Sequence, residues 1–250
     1  MNKYEEYDNV NDLEIALDLP KGSLRNIPIY ARVPAVDAIK NVIEMEKESL
    51  FRPGLYYIVL ADLKGNTEFN NKYGNDHTDI RVQWFHTAAI QSIGEINPTN
   101  YISFNKTIGD ASLLIFSAIQ DVINWSNNLN DVLDGMNQEY ATAVHEDSLG
   151  VPINEDMIEE QIEDFKLDAR RLVHLGEVQY TDDSDPLSLA VSQIFKAEKE
   201  FFEVKLGCTQ TVAESIQPKI SGLGYQLEEN KKITIAGEDK ETMTYYIVPS

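Results

Sequence analysis

Two aspartates stand where carboxylates can do chemistry. Asp62 closes an apolar run, Leu55-Tyr-Tyr-Ile-Val-Leu-Ala61, and Gly65-Asn66-Thr67 follows shortly after it. Asp110 follows Gly109 in the tight segment Lys106-Thr107-Ile108-Gly109-Asp110. Paired carboxylate oxygens of this kind suit hard divalent cations. A glycine turn that opens a helix beside them presents backbone N–H groups, a seat for phosphate. Such parts meet the needs of phosphoryl chemistry, in which metals hold the phosphates and neutralise charge at the reacting phosphorus. Taken singly, each Asp reads as an ordinary turn or helix-cap residue. The stretch between them has room for one helix plus one strand, so both fall on one rim if their strands are neighbours.

The elements that must position them follow from periodicity. Leu55 to Ala61 reads as a strand buried on both faces. A helix is expected from about Asp76 through Ile93, and short strands at Tyr101 to Asn105 and Ala111 to Phe116, joined by the Asp110 segment. Ile119 to Leu133 predicts a helix, and Arg170 to Val178 a strand. Asp185 and Pro186 suit the N-cap and first residue of a helix over about 187–204. Lys231 to Ala236 and Met243 to Val248 read as antiparallel strands. Residues 1–50 form a lead-in with one amphipathic helix, Ala35 to Leu50. Residues 137–163 are rich in Asp and Glu, lack Lys and Arg, and read as a solvated acidic insertion or loose helix. The expectation is one α+β domain over 51–250, with a central, mostly antiparallel sheet flanked by helices, close to a ferredoxin-like sandwich.

Composition narrows the partners. The 250 residues include 42 Asp+Glu against 21 Lys+Arg, a net charge of -21. Such a chain repels nucleic-acid polymers and anionic membranes. A small anion arriving with metal remains compatible. The lone Cys208 permits no intrachain disulfide, and the N-terminal MNKYEEYDNVNDLE lacks the apolar core of a signal peptide. No apolar run is long enough to span a bilayer, so a cytoplasmic protein is expected. His77, His86 and His145 lack metal-ligand spacing, His174 reads as structural, and no Walker A loop, dinucleotide-binding glycine motif, zinc-protease helix or nucleophile elbow is found.

The segment Asp62-Leu-Lys-Gly65-Asn-Thr67 resembles the first metal motif of the class III adenylate/guanylate cyclases. Lys106-Thr-Ile-Gly-Asp110 resembles their second metal motif almost letter for letter. His174-Leu-Gly176-Glu177 resembles their H-x-G-E strand, and Thr244 to Val248 their closing strand. The resemblance spans roughly residues 50–250. It implies that Asp62, Asp110 and the Leu63 backbone hold two divalent ions, Mn2+ or Mg2+, and that Leu63, Gly65, Asn66 and Thr67 cradle phosphates. It implies that Lys106 and Asp185 read the base. On a later helix it puts Ser192 where the family has the ribose-orienting Asn, and Lys196 where it has the transition-state Arg. Lys keeps the charge and loses the bidentate fork. The expected reaction closes a nucleoside triphosphate into a 3′,5′-cyclic nucleotide, with composite sites in a homodimer.

The Lys106 and Asp185 pair resembles adenine readers. The Ser192 and Lys196 substitutions and the stand-alone form resemble the pyrimidine cyclases of bacterial anti-phage defence, whose product a separate effector protein reads. UTP is therefore expected first and CTP next, with an adenylate cyclase making cyclic AMP, or a catalytically inactive nucleotide-binding relative, as alternatives. Tyr56, Tyr57 and Phe104 are candidates for narrowing the base pocket. A diguanylate-cyclase or polymerase-palm relative is disfavoured by the lack of a G-G-D-E-F-type turn.

Overall fold

A computed structural model describes residues 53–93, 102–145, 158–180, 186–201, 203–235 and 241–250, without the side chains of 102–106, 180 and 186–187. The expected helix over Ala35 to Leu50, and the rest of the lead-in, lie outside the described residues.

The sheet is built around β1 (Gly54–Leu63), which pairs antiparallel with β3 (Ala111–Phe116) on one side and β4 (Ala169–Tyr180) on the other. β2 (Ile102–Ile108) makes a hairpin with β3. β6 (Leu206–Thr209) joins β4 in parallel, and β8 (Glu241–Pro249) and β7 (Tyr225–Thr234) extend the sheet antiparallel. The order is β2-β3-β1-β4-β6-β8-β7, and the short β5 (Pro186–Leu187) pairs with the end of β4. This is the expected α+β class with a mostly antiparallel sheet. Among the described residues no helix is long and apolar enough to cross a membrane.

Both faces of β1 are covered, which explains its unbroken apolar sequence. Tyr57, Val59, Ala61 and Leu63 point into one core layer. That layer packs under α1 (Asn66–Tyr73), α2 (Asn75–Gln91), α3 (Ile119–His145), α4 (Ile158–Phe165) and α6 (Gln210–Ile216). Tyr56, Ile58 and Leu60 point to the opposite layer, against Ala190, Ile194 and Ala197 of α5 (Leu189–Ala197) and against Phe201. With a period of two, Asp62 is the next residue on that second face, at the strand's end.

Several expectations shift. α3 runs past Leu133 to His145, because Tyr140 and Val144 continue its buried stripe. The acidic stretch is therefore partly structured. Its end forms α4, anchored by Phe165, which stacks on Tyr140, and by Lys72, which pairs with Glu160 and Asp164. The helix expected from about 187 to 204 is shorter. It starts at Leu189, where the extended Ser188 caps it by accepting the Val191 N–H, and after Ala197 tightens into a 3-10 turn, Glu198–Glu200. Pro186 sits in β5, opposite Tyr180. β6 and α6 were not foreseen: a four-residue strand, Leu-Gly-Cys-Thr, carries no alternation and is defined only by its neighbours.

Candidate active site

Asp62 on β1 lies directly opposite Arg170 on β4. Directly opposed residues of an antiparallel pair share a face. The Arg170 Nη2 accordingly donates to Asp62 Oδ2 and lies 3.1 Å from Glu198 Oε1 in the turn after α5. On the other flank of β1, Asp62 is paired with Ala111, so the hairpin carrying Asp110 ends beside it. Gly109 makes that hairpin with a φ of 61, and the Asp110 carbonyl accepts the Leu63 N–H at 3.1 Å. Asp62, Asp110, Arg170 and the 63–68 segment line one open cavity of about 640 Å³.

The 63–68 segment presents the start of α1. Gly65 takes the left-handed conformation, φ 71, and α1 has no side-chain cap. Its first hydrogen bond runs from Phe69 N–H to Gly65 O at 3.0 Å, so the N–H groups of Asn66, Thr67 and Glu68 have no acceptor within the helix. Those of Leu63 and Lys64 are occupied by Asp110 O and Asp168 O. Arg81 of α2, 2% exposed, braces the turn from below. Its guanidinium donates to Lys64 O, Asn66 Oδ1, Phe165 O and Lys166 O.

The electrostatics are strained in a direction that favours a cation. Burial pushes the Asp62 carboxyl above its ordinary range; Arg170 opposes this, and the charge of Asp110 adds to it. Burial, then Asp62, pushes Glu198 up to about 7. The Arg170 Nε has no hydrogen-bond partner although it is buried. Three carboxylates thus crowd one guanidinium.

Asp62 and Asp110 offer hard oxygen donors, and Leu63 can join them only through its carbonyl, since a leucine side chain has no donor atom. No cluster of three or more His, Cys, Asp or Glu suited to a metal occurs among the described residues. The donor set fits Mg2+ or Mn2+ sites, which take few protein ligands and complete their shell with water and phosphate oxygens.

The cavity therefore brings together Asp62, Leu63, Gly65, Asn66, Thr67 and Asp110 of the expected residues. It does not contain Ser192 and Lys196, which are exposed on α5. Lys106 lies on β2 with its backbone opposite Leu113, its side chain outside the description, and Asp185 falls outside the described residues. Tyr56 and Tyr57 are both buried in opposite core layers, so they cannot narrow one pocket together. Arg170, Glu198 and Arg81 were missed. Only the register of β1 with β4 reveals Arg170, and no spacing in the chain announces it.

No family model matches the sequence, and a search of curated proteins finds no match. Solved structures do match. The guanylyl cyclase Cya2 superimposes with a TM-score of 0.58 at 13% identity, over 79% of this chain and 93% of that one. The fold is that of the class III cyclase catalytic domains. An adenylate cyclase of Trypanosoma brucei, solved in its monomeric state, gives 0.53 at 10% identity over 82% and 93%. The adenylyl cyclase CyaB from P. aeruginosa gives 0.51 at 11% over 80% and 96%. At such identities the class III cyclase likeness lives in the topology, with Asp62 and Asp110 brought to one rim by β1, β3 and the hairpin between β2 and β3.

Proposed function

We propose that the chain is a nucleotide cyclase that converts a nucleoside triphosphate to a 3′,5′-cyclic nucleotide and pyrophosphate. The observation that carries this reading is one cavity lined by Asp62, Asp110, Arg170 and the uncapped start of α1. The 3′-oxygen attacks the α-phosphorus, the bond from that phosphorus to the β-phosphate oxygen breaks, and the hydroxyl proton passes to solvent. Mn2+ or Mg2+ held by Asp62, Asp110 and the Leu63 carbonyl would supply a lowered hydroxyl pKa and charge neutralisation at the phosphates. The N–H groups of Asn66 to Glu68 receive phosphate oxygens, and Arg81 keeps their turn in place. Arg170 offers a fork-shaped donor beside them.

The finer reading rests on the motif resemblance. Ser192 and Lys196 stand one helical turn apart on the exposed face of α5, where the resemblance has Asn and Arg. That replacement supports a pyrimidine substrate, UTP before CTP, and a second-messenger role in cytoplasmic anti-phage defence with a separate effector. Exposure of both residues away from the cavity supports a homodimer in which a partner's α5 completes the site.

The test incubates the purified chain with Mn2+ and ATP, GTP, CTP or UTP separately, beside Asp62→Ala, and identifies products by mass. One cyclic pyrimidine nucleotide, reduced at least about a hundredfold in the variant, is the expected result. Cyclic AMP would retain the chemistry and remove the defence reading. No product from any of the four would remove the cyclase reading.

A further inference from the structure

We infer that His86, in the middle of α2, is a positioning residue that fastens the Asp110 hairpin from behind. The inference rests on reading Asp110 as a metal carboxylate. His86 is 1% exposed and does not line the cavity. Its Nε2 lies 3.0 Å from the Gly109 carbonyl, and its Nδ1 lies 2.8 Å from the Ser112 hydroxyl. These two partners bracket Asp110 in the chain.

The roles of the ring atoms follow from their partners. A carbonyl only accepts, so Nε2 carries the hydrogen. Burial lowers the proton affinity of the ring, which keeps it a neutral imidazole. With one hydrogen, already on Nε2, Nδ1 is a bare acceptor and the Ser112 hydroxyl donates to it.

Open space lies beside the tip of this turn. A Cβ built on Gly109 would meet nothing within 4 Å. Beside the β2–β3 pairing that closes it, the turn is tied by the two hydrogen bonds at the His86 ring and by the Asp110 carbonyl accepting from Leu63 N–H. Breaking either His86 bond leaves a buried polar atom without its partner. A side chain that only filled space between α2 and the sheet would need neither nitrogen. Both nitrogens instead serve the residues on either side of the metal carboxylate, so the ring sets where Asp110 points.

Two substitutions separate the nitrogens. His86→Gln places an amide N–H near the Nε2 position and keeps the bond to Gly109 O. His86→Asn places its amide near Nδ1 and keeps only the Ser112 contact. Mn2+ affinity of the full chain is measured by electron paramagnetic resonance, and hydrogen exchange is followed across residues 107–112. His86→Asn is expected to weaken Mn2+ binding by about tenfold or more and to speed exchange around Asp110, while His86→Gln stays within about threefold of the wild type. A purely structural His86 would lower the melting temperature in both variants without separating their metal affinities. The inference is overturned if His86→Asn binds Mn2+ like the wild type, if His86→Gln falls as far as His86→Asn, or if the wild type binds no Mn2+. Asp110-dependent Mn2+ binding that splits the two variants, in a chain that forms no cyclic nucleotide, would support the inference and remove the cyclase reading alone.

Discussion

Arg170 sits between Asp62 and Glu198, and that arrangement makes Glu198 a pH-sensitive group. Its carboxyl is pushed up to about 7 by burial and then by Asp62, from an ordinary value of 4.5. Between those values the folded chain keeps a proton that the unfolded chain has released. Stability from this group is therefore full below 4.5 and is lost as pH rises through about 7. Glu198→Gln removes the titration while keeping the shape. The wild type should lose melting temperature relative to the variant between pH 5 and pH 8, by about 5 °C for a domain of this size. Thermal melts of both proteins at the two pH values check this. A gap that stays constant across them would show that Glu198 does not hold the proton. At this scale Asp62 and Asp110 were legible in the sequence, because Asp62 closes an apolar run shortly before Gly65 and Asp110 follows Gly109 in a tight turn. Arg170 and Glu198 were not, because one needs the strand register and the other needs the packing of α5.

At the scale of elements, two glycines let α5 and the segment that follows it lie close on the sheet. A Cβ on Gly176 of β4 would lie 2.3 Å from the Ala190 Cβ of α5. A Cβ on Gly207 of β6 would meet the Phe201 ring at the same 2.3 Å. His174 adds a polar tie, with its Nδ1 3.0 Å from the Thr209 hydroxyl between β4 and β6. The glycine of the His174-Leu-Gly176-Glu177 motif thus has a packing reason: the Ala190 side chain comes too close for a Cβ at position 176. Gly176→Ala must push α5 away and should cost roughly 1–3 kcal/mol. Because Ser192, Lys196 and the Glu198 turn travel with α5, turnover should fall further than stability explains, by about tenfold. Adding Ala190→Gly restores the space, and the double variant should recover both melting temperature and turnover. Failure of that rescue would locate the damage elsewhere than the α5 contact. The start of this helix was misread from Asp185-Pro186, a pair that fits a helix cap. Ser188 fits one too, and only the pairing of Pro186 with Tyr180 shows which cap the chain uses. β6 was invisible for the converse reason, since all four of its residues are buried and it has no alternation to read.

At the scale of the whole molecule, the cavity lining of one chain leaves out Ser192 and Lys196, two residues that the cyclase reading uses. Asp62 and Asp110 line the cavity, whereas Ser192 and Lys196 face solvent on α5. In the proposed homodimer a second copy presents its α5 to this chain's cavity and brings them together. A two-fold dimer would then hold two equivalent sites, each taking its carboxylates from one subunit and its Lys196 from the other. Asp62→Ala and Lys196→Ala homodimers should each be nearly inactive. Mixing them under conditions that exchange subunits makes mixed dimers, in which one site carries both lesions and the other carries neither. Random exchange makes half the dimers mixed, each with one intact site, so cyclase activity should return to about a quarter of the wild-type level. If Lys196 instead served its own chain's cavity, every site in the mixture would carry one lesion and no activity would return. The recovered fraction, read against the proportions of the two proteins mixed, therefore reports whether the site is built by one chain or by two.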